Sequence, residues 1–188
     1  MPKQPAFLAN LFNQASNVTG FGDATDLVSA YNVLFDRYTT DSAYDQGGNV
    51  STGTILSPPQ AFAGGLSGQN TTVFTAPVAG IYFFTLQLRC LNLGTTNHEL
   101  ISTIYRRPVG AVGPGSDTAV AYQIFNPSAD VSADFQVTTT ISGYCKCALG
   151  DKIYCFLVVY GHDTVNNISL CAGGSTAHFC SFAGHLVA

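Results

Sequence analysis

Four histidines, six cysteines and a single glutamate hold most of this chain's capacity for catalysis or metal binding. Their spacing assembles none of the familiar sites. His98, His162, His178 and His185 form no HxH or HExxH pair, and the cysteines form no CxxC pair, so the clustered ligands of a zinc site are missing from the pattern. Cys145 and Cys147 stand two apart on one face of an extended run. That spacing offers two thiolates to zinc but more often marks two small core residues. The nearest approach to a hydrolase elbow is Gly65-Leu66-Ser67-Gly68, whose spacing is wrong and whose surroundings are Gly-rich linker. His98-Glu99 and His162-Asp163 are sequence neighbours and point to opposite sides of a strand. Glu99 is the only Glu, so a glycosidase pair would have to be built from Asp, and no spacing selects one. The sequons at Asn17, Asn49, Asn70 and Asn167 read as by-products of an Asn/Ser/Thr-rich composition. The expectation is a protein that is not an enzyme.

The segments that carry these residues read as strands. Apolar and aromatic runs alternate with Gly, Pro, Asn and Ser, and no window holds a 3.6-residue period. The clearest run is 80–90, where Tyr82, Phe84, Leu86, Leu88 and Cys90 form one apolar face. The opposite face, Ile81, Phe83, Thr85, Gln87 and Arg89, starts apolar and ends polar, a first hint that another surface covers its beginning. Further strands are predicted over 27–35, 71–75, 100–105, 120–125, 135–141, 144–149, 153–160 and 178–187, a spacing that suits a sandwich or jelly roll. One domain is predicted over 1–188, with residues 46–69 a Gly/Ser/Pro-rich insertion loop and a second Gly/Pro-rich turn over 108–115.

Composition sets the outer limits. Of 188 residues 46% are hydrophobic, which argues against disorder, and only 10% are charged, against about 25% in an average domain. Seven Lys and Arg against eleven Asp and Glu leave a net charge of −4, which argues against a nucleic-acid partner. No stretch approaches 18 uninterrupted apolar residues, so no membrane span is expected. The opening twelve residues are broken by Pro5 and Asn10 and lack the apolar core of a secretory signal. The six cysteines are expected to be mostly free thiols, since a chain of this size builds a core without staples.

A more specific signal lies in Val73-Phe74-Thr75-Ala76-Pro77-Val78-Ala79-Gly80-Ile81-Tyr82-Phe83-Phe84. It resembles the Phe-Thr-x-Pro-x-x-Gly-x-Tyr-x-Phe signature of C1q-like domains. Ala6-Phe7-Leu8-Ala9 looks like that family's first strand, Tyr31 to Asp36 with Tyr44-Asp45 like its Phe-Asp…Tyr segment, and Ser142-Gly143 with Gly150-Asp151-Lys152-Ile153-Tyr154 like its Gly-Asp hairpin. The end, Ser181-Phe182-Ala183-Gly184-His185-Leu186-Val187, is similar to its closing strand, so nearly the whole chain is covered. The opening is closer to bacterial and phage members than to animal complement proteins. The chain departs from the animal pattern in having no collagen stalk and no Trp, and in its 46–69 insertion.

The resemblance implies an all-β, ten-stranded jelly-roll sandwich of the C1q and tumour necrosis factor type that associates as a trimer. In such a trimer Ile81, Phe83, Thr85 and Gln87 would face the threefold axis, joined by Thr140 and Phe182. Calcium is the one cofactor it brings into view, with Asp41, Asp45, Asp130 and Asp134 as candidate ligands, although turn formation is the commoner role of such residues. The function implied is multivalent attachment by a fibre head or decoration of a virion or cell surface, with partners in a glycan or protein receptor and other virion proteins. A purely structural capsid component and a carbohydrate-active jelly roll are the alternatives. Segments 46–69 and 108–117 are the candidate specificity loops.

Overall fold

The period-two alternation of the chain becomes strands wherever one face can be buried. The computed structural model describes residues 4–13, 15, 18, 22–23, 28–36, 44–54, 70–93, 99–111, 114–126, 135–161, 168–172 and 179–188. Among them run thirteen strands: β1 (Ala6–Asn10), β2 (Gly22–Asp23), β3 (Val28–Asn32), β4 (Tyr44–Gln46), β5 (Val50–Thr54), β6 (Asn70–Thr75), β7 (Gly80–Leu93), β8 (Glu99–Arg107), β9 (Thr118–Phe125), β10 (Phe135–Cys147), β11 (Lys152–Tyr160), β12 (Ser169–Leu170) and β13 (Ser181–Leu186). The expected count of ten is exceeded partly through the two-residue pairings of β2 and β12.

The strands form two antiparallel sheets. The first has the order β10-β7-β13-β1-β4, with β12 also on β7. In the second, β8 pairs along the whole of β11 from Lys152 to Tyr160 and carries β9 beyond it. The other side of β11 is shared, β3 taking residues 156–160 and β6 residues 152–154, with β5 outside β6. Where β3 gives way to β6, side chains complete the ladder. Thr72 Oγ1 accepts from Phe35 N at 2.7 Å and donates to Phe35 O, while Thr71 Oγ1 donates to Val33 O at 2.9 Å. Both threonines are fully buried, so these bonds satisfy groups that would otherwise be stranded.

The sheets face each other across an aromatic core. Phe7 of the first sheet stacks on Phe74 of the second with centroids 4.7 Å apart, and Phe84, Phe182, Phe35 and Tyr82 extend the cluster. Gly184 is what lets Phe7 and Phe84 come so close, since a Cβ there would stand 2.5 Å from a Phe84 ring carbon and 2.7 Å from one of Phe7. The β7 face predicted to be apolar, Tyr82, Phe84, Leu86, Leu88 and Cys90, is fully buried in this core.

Three expectations need correction. Residues 46–69 are not one loop: Gln46 ends β4, a turn with positive φ at Gly47 and Gly48 follows, and Val50–Thr54 is a strand paired with β6. Residues 55–69 lie outside the described residues. The runs predicted as 135–141 and 144–149 are a single strand, because Gly143 continues the ladder opposite Phe84 instead of breaking it. Phe182 does not face outward. It pairs with Leu86 on one side and Ala9 on the other, both buried, and the shared register turns its ring into the core.

Candidate functional site

Because paired residues share a face, the registers draw the outward surface of the first sheet row by row. Thr140, Gln87 and Ser181 form one row; Ser142, Thr85 and Ala183 the next; then Tyr144, Phe83 and His185; and last Lys146 beside Ile81. The middle rows carry no charge and little apolar bulk. The bulk is concentrated at one end, where the Phe83 ring lies 5.0 Å from that of Tyr144 and 5.7 Å from the imidazole of His185. Tyr144 remains 68% exposed and Ile81 43%. Of the residues expected at a trimer axis, this face brings together Ile81, Phe83, Thr85, Gln87 and Thr140; Phe182 is replaced on it by Ser181, Ala183 and His185.

A second arrangement, which the sequence hid, closes one end of the sandwich. Asp151 is buried, and its carboxylate accepts from Ala148 N at 2.8 Å, Val109 N at 2.9 Å and Arg106 Nε at 2.6 Å. Burial opposes its charge, but the two amides and the guanidinium outweigh burial and hold the carboxyl below its ordinary range. Beside it, Arg107 donates to both oxygens of Asp117, and the Tyr154 hydroxyl donates to the same carboxylate at 2.8 Å. Burial, and then the adjoining Asp117, push the Tyr154 phenol well above its usual value. The signals available in the sequence were the Gly150-Asp151 hairpin and the pair Arg106-Arg107, the chain's only adjacent cations, and nothing in their spacing joined the two. The turn between Arg107 and Ala111 borders a depression of about 210 Å³ that Val109, Gly110, Gly150 and Lys152 help to line.

The remaining candidates fare differently. Asp45 accepts from Asn49 N at 2.9 Å and Val50 N at 2.8 Å, the work of a turn-forming carboxylate. Asp41, Asp130 and Asp134, together with His98, His162, His178 and Ser67, lie outside the described residues. Among the described residues no three His, Cys, Asp or Glu side chains converge as a metal site. The Cys145 thiol donates to Lys146 O and the Cys147 thiol to Cys145 O, and each thiol acts on its neighbour, holding Cys145 below and driving Cys147 above the ordinary range. All six cysteines stand as free thiols. No helix among the described residues is long and apolar enough to cross a membrane. Compared with known proteins, the chain matches no family model and no curated protein.

Proposed function

We propose that the chain is a non-enzymatic binding and structural module of C1q-like type, a jelly-roll subunit that self-associates as a homotrimer through the outward face of the first sheet. The strand order supports the jelly-roll reading: β6 to β7, β7 to β8, β9 to β10 and β10 to β11 each pass from one sheet to the other, so the chain wraps around the core. The observation that carries the assembly is an outward face whose middle rows carry no charge and whose end gathers Ile81, Phe83 and Tyr144, with Lys146 beside Ile81. Homomeric contacts are the more apolar class of interface, and exposed apolar area is what they bury.

On this reading three copies of one shallow site act together, and avidity replaces strength at each site. The end of the sandwich next to the Asp151 network is the favoured place for that site, since it offers a concavity on rigidly held turns. A fibre head or decoration that attaches a virion to a glycan or protein receptor is the role that fits. Sedimentation over a concentration series tests the assembly, with a species of three chains expected. Binding to an immobilised glycan or host-surface array without product release is the expected behaviour of the module, and hydrolysis of any bound glycan would overturn the non-enzymatic reading.

A further inference from the structure

At the end of the sandwich next to the Asp151 network, three turns run past the last rungs of their ladders. The ladder between β7 and β10 stops at Gly80 and Cys147, and β11 meets β8 and β6 last at Lys152, opposite Arg107 and Thr75. Beyond these rungs lie residues 76–79, 108–111 and 148–151. The turns are tied to one another. Gly150 N donates to Ala76 O at 2.8 Å, Ala76 N donates to Asp151 O at 2.9 Å, and a Cβ on Gly150 would stand 3.2 Å from a Val109 methyl. Each turn leaves an aliphatic side chain in water: Val78 is 44% exposed, Val109 62% and Leu149 64%.

The free charge around these tips has one sign. Within 76–80, 106–118 and 146–152 fall four of the chain's seven Lys and Arg but only two of its eleven acidic residues. Both acids, Asp117 and Asp151, have buried carboxylates paired with Arg107 and Arg106. Lys146 and Lys152 are exposed and enter no ion pair among the described residues. Lys146 stands opposite Ile81 on the outward face of the first sheet, and since Ile153 is in the core, Lys152 points outward from the second. The aliphatic tips therefore lie between two cations, one on each flank of the sandwich, in a chain whose net charge is −4.

We propose that this end docks peripherally on a bilayer rich in anionic phospholipid, with Val78, Val109 and Leu149 entering the headgroup boundary while Lys146 and Lys152 meet phosphates on either side. Charge complementarity sets the sign of the partner, and the tips set its class. Aliphatic side chains offer the hydroxyls of a glycan no hydrogen bond. A protein partner would have to present three matching hollows to tips on three separate turns, whereas a bilayer yields around them. The depression of about 210 Å³ beside Val109, with Gly110 and Lys152 in its lining, gives one headgroup a place next to an inserted tip. The docking needs neither three copies nor a glycan or protein receptor.

The test floats the full-length protein through a density gradient with vesicles of phosphatidylcholine or of an equal mixture of phosphatidylcholine and phosphatidylglycerol. The wild type is expected to rise with the mixed vesicles and to stay behind with the neutral ones. Raising salt from about 0.1 M to about 1 M, which shortens the screening length to about 3 Å, should release most of it. Lys152→Gln should weaken binding to the mixed vesicles about fivefold. Leu149→Asn, at an exposed turn position that leaves the core intact, should weaken it about tenfold with unchanged circular dichroism. A wild type that ignores the mixed vesicles or rises equally with both kinds would overturn the proposal, as would Leu149→Asn floating as well as the wild type. Retention on immobilised heparin without flotation would assign the lysines to a soluble polyanion and overturn lipid docking as well.

Discussion

Asp151 shows how much one side chain does when its partners are donors on different elements. Its carboxylate joins the turn after β10 to the end of β8, through Ala148 on one side and Val109 and Arg106 on the other. Asp151→Asn puts an amide NH₂ where those donors need an acceptor. The expected loss is about 2–3 kcal/mol, near the lower end for a broken buried pair because the Arg106 side chain stays 28% exposed and can turn to water. In a chain of this length that is a fall in melting temperature of roughly 4–12 °C. The sign of its pH dependence follows from the depressed carboxyl. A group titrating lower in the folded than in the unfolded chain stabilises above its unfolded value, about 4, and loses that contribution as pH falls through the folded one. The gap between wild type and Asp151→Asn in urea unfolding is therefore expected to be full at pH 7 and to shrink below about pH 4. An equal gap at pH 7 and pH 3 would mean that the charge is not what stabilises the turn.

Between elements, β10 and β9 approach closely at Gly143, where the edge of one sheet meets the edge of the other. A Cβ at that position would stand 2.9 Å from Val120 O and 3.2 Å from the Ala121 Cβ, so β9 would have to withdraw from β10. Gly143→Ala is expected to cost about 1–3 kcal/mol and to speed hydrogen exchange in β9 more than in the middle of β7; uniform exchange across both strands would count against a local opening. The same glycine explains a limit of the sequence. A Gly beside a Ser reads as a turn, and only the partner strand reveals that it belongs inside one. The two faces of β7 were legible because the unbroken alternation over 80–90 leaves no other period available. Strand β5 was not, since Val-Ser-Thr-Gly-Thr has no apolar face of its own and is a strand only because β6 supplies hydrogen bonds. The outward face could be read from β7 alone for Ile81, Phe83, Thr85 and Gln87. Phe182 could not, because the face of β13 depends on pairing with both β7 and β1, a long-range register with no local signature. The Asp151 and Asp117 networks were hidden for a similar reason: their members come from three segments that the topology gathers at one end.

For the molecule as a whole, the question is what covers the Ile81, Phe83 and Tyr144 end of the first sheet. Phe83 is the decisive position, since its ring is only half-buried between Tyr144 and His185 and a shorter polar side chain there disturbs no core residue. Phe83→Asp should therefore leave the single chain folded, with unchanged circular dichroism and the same aromatic core. In an assembly of three copies the substitution acts three times. Each copy forfeits the burial of a Phe, worth about 1.5–3 kcal/mol, and in exchange brings a carboxylate into a contact that water has left, at a cost of several kcal/mol unless it is paired. These terms add across the seam, so the variant is expected to sediment as one chain of 19.8 kDa at concentrations where the wild type sediments at three times that mass. Phe83→Leu, which keeps the apolar contact, should retain the larger species. The pair separates a specific seam from loose stickiness, because general hydrophobic association would weaken gradually in both variants, whereas a closed contact fails for the charge and tolerates the smaller hydrophobe. A wild type that remains a single chain throughout the series would remove the trimer, and the avidity that depends on it, whatever the variants do.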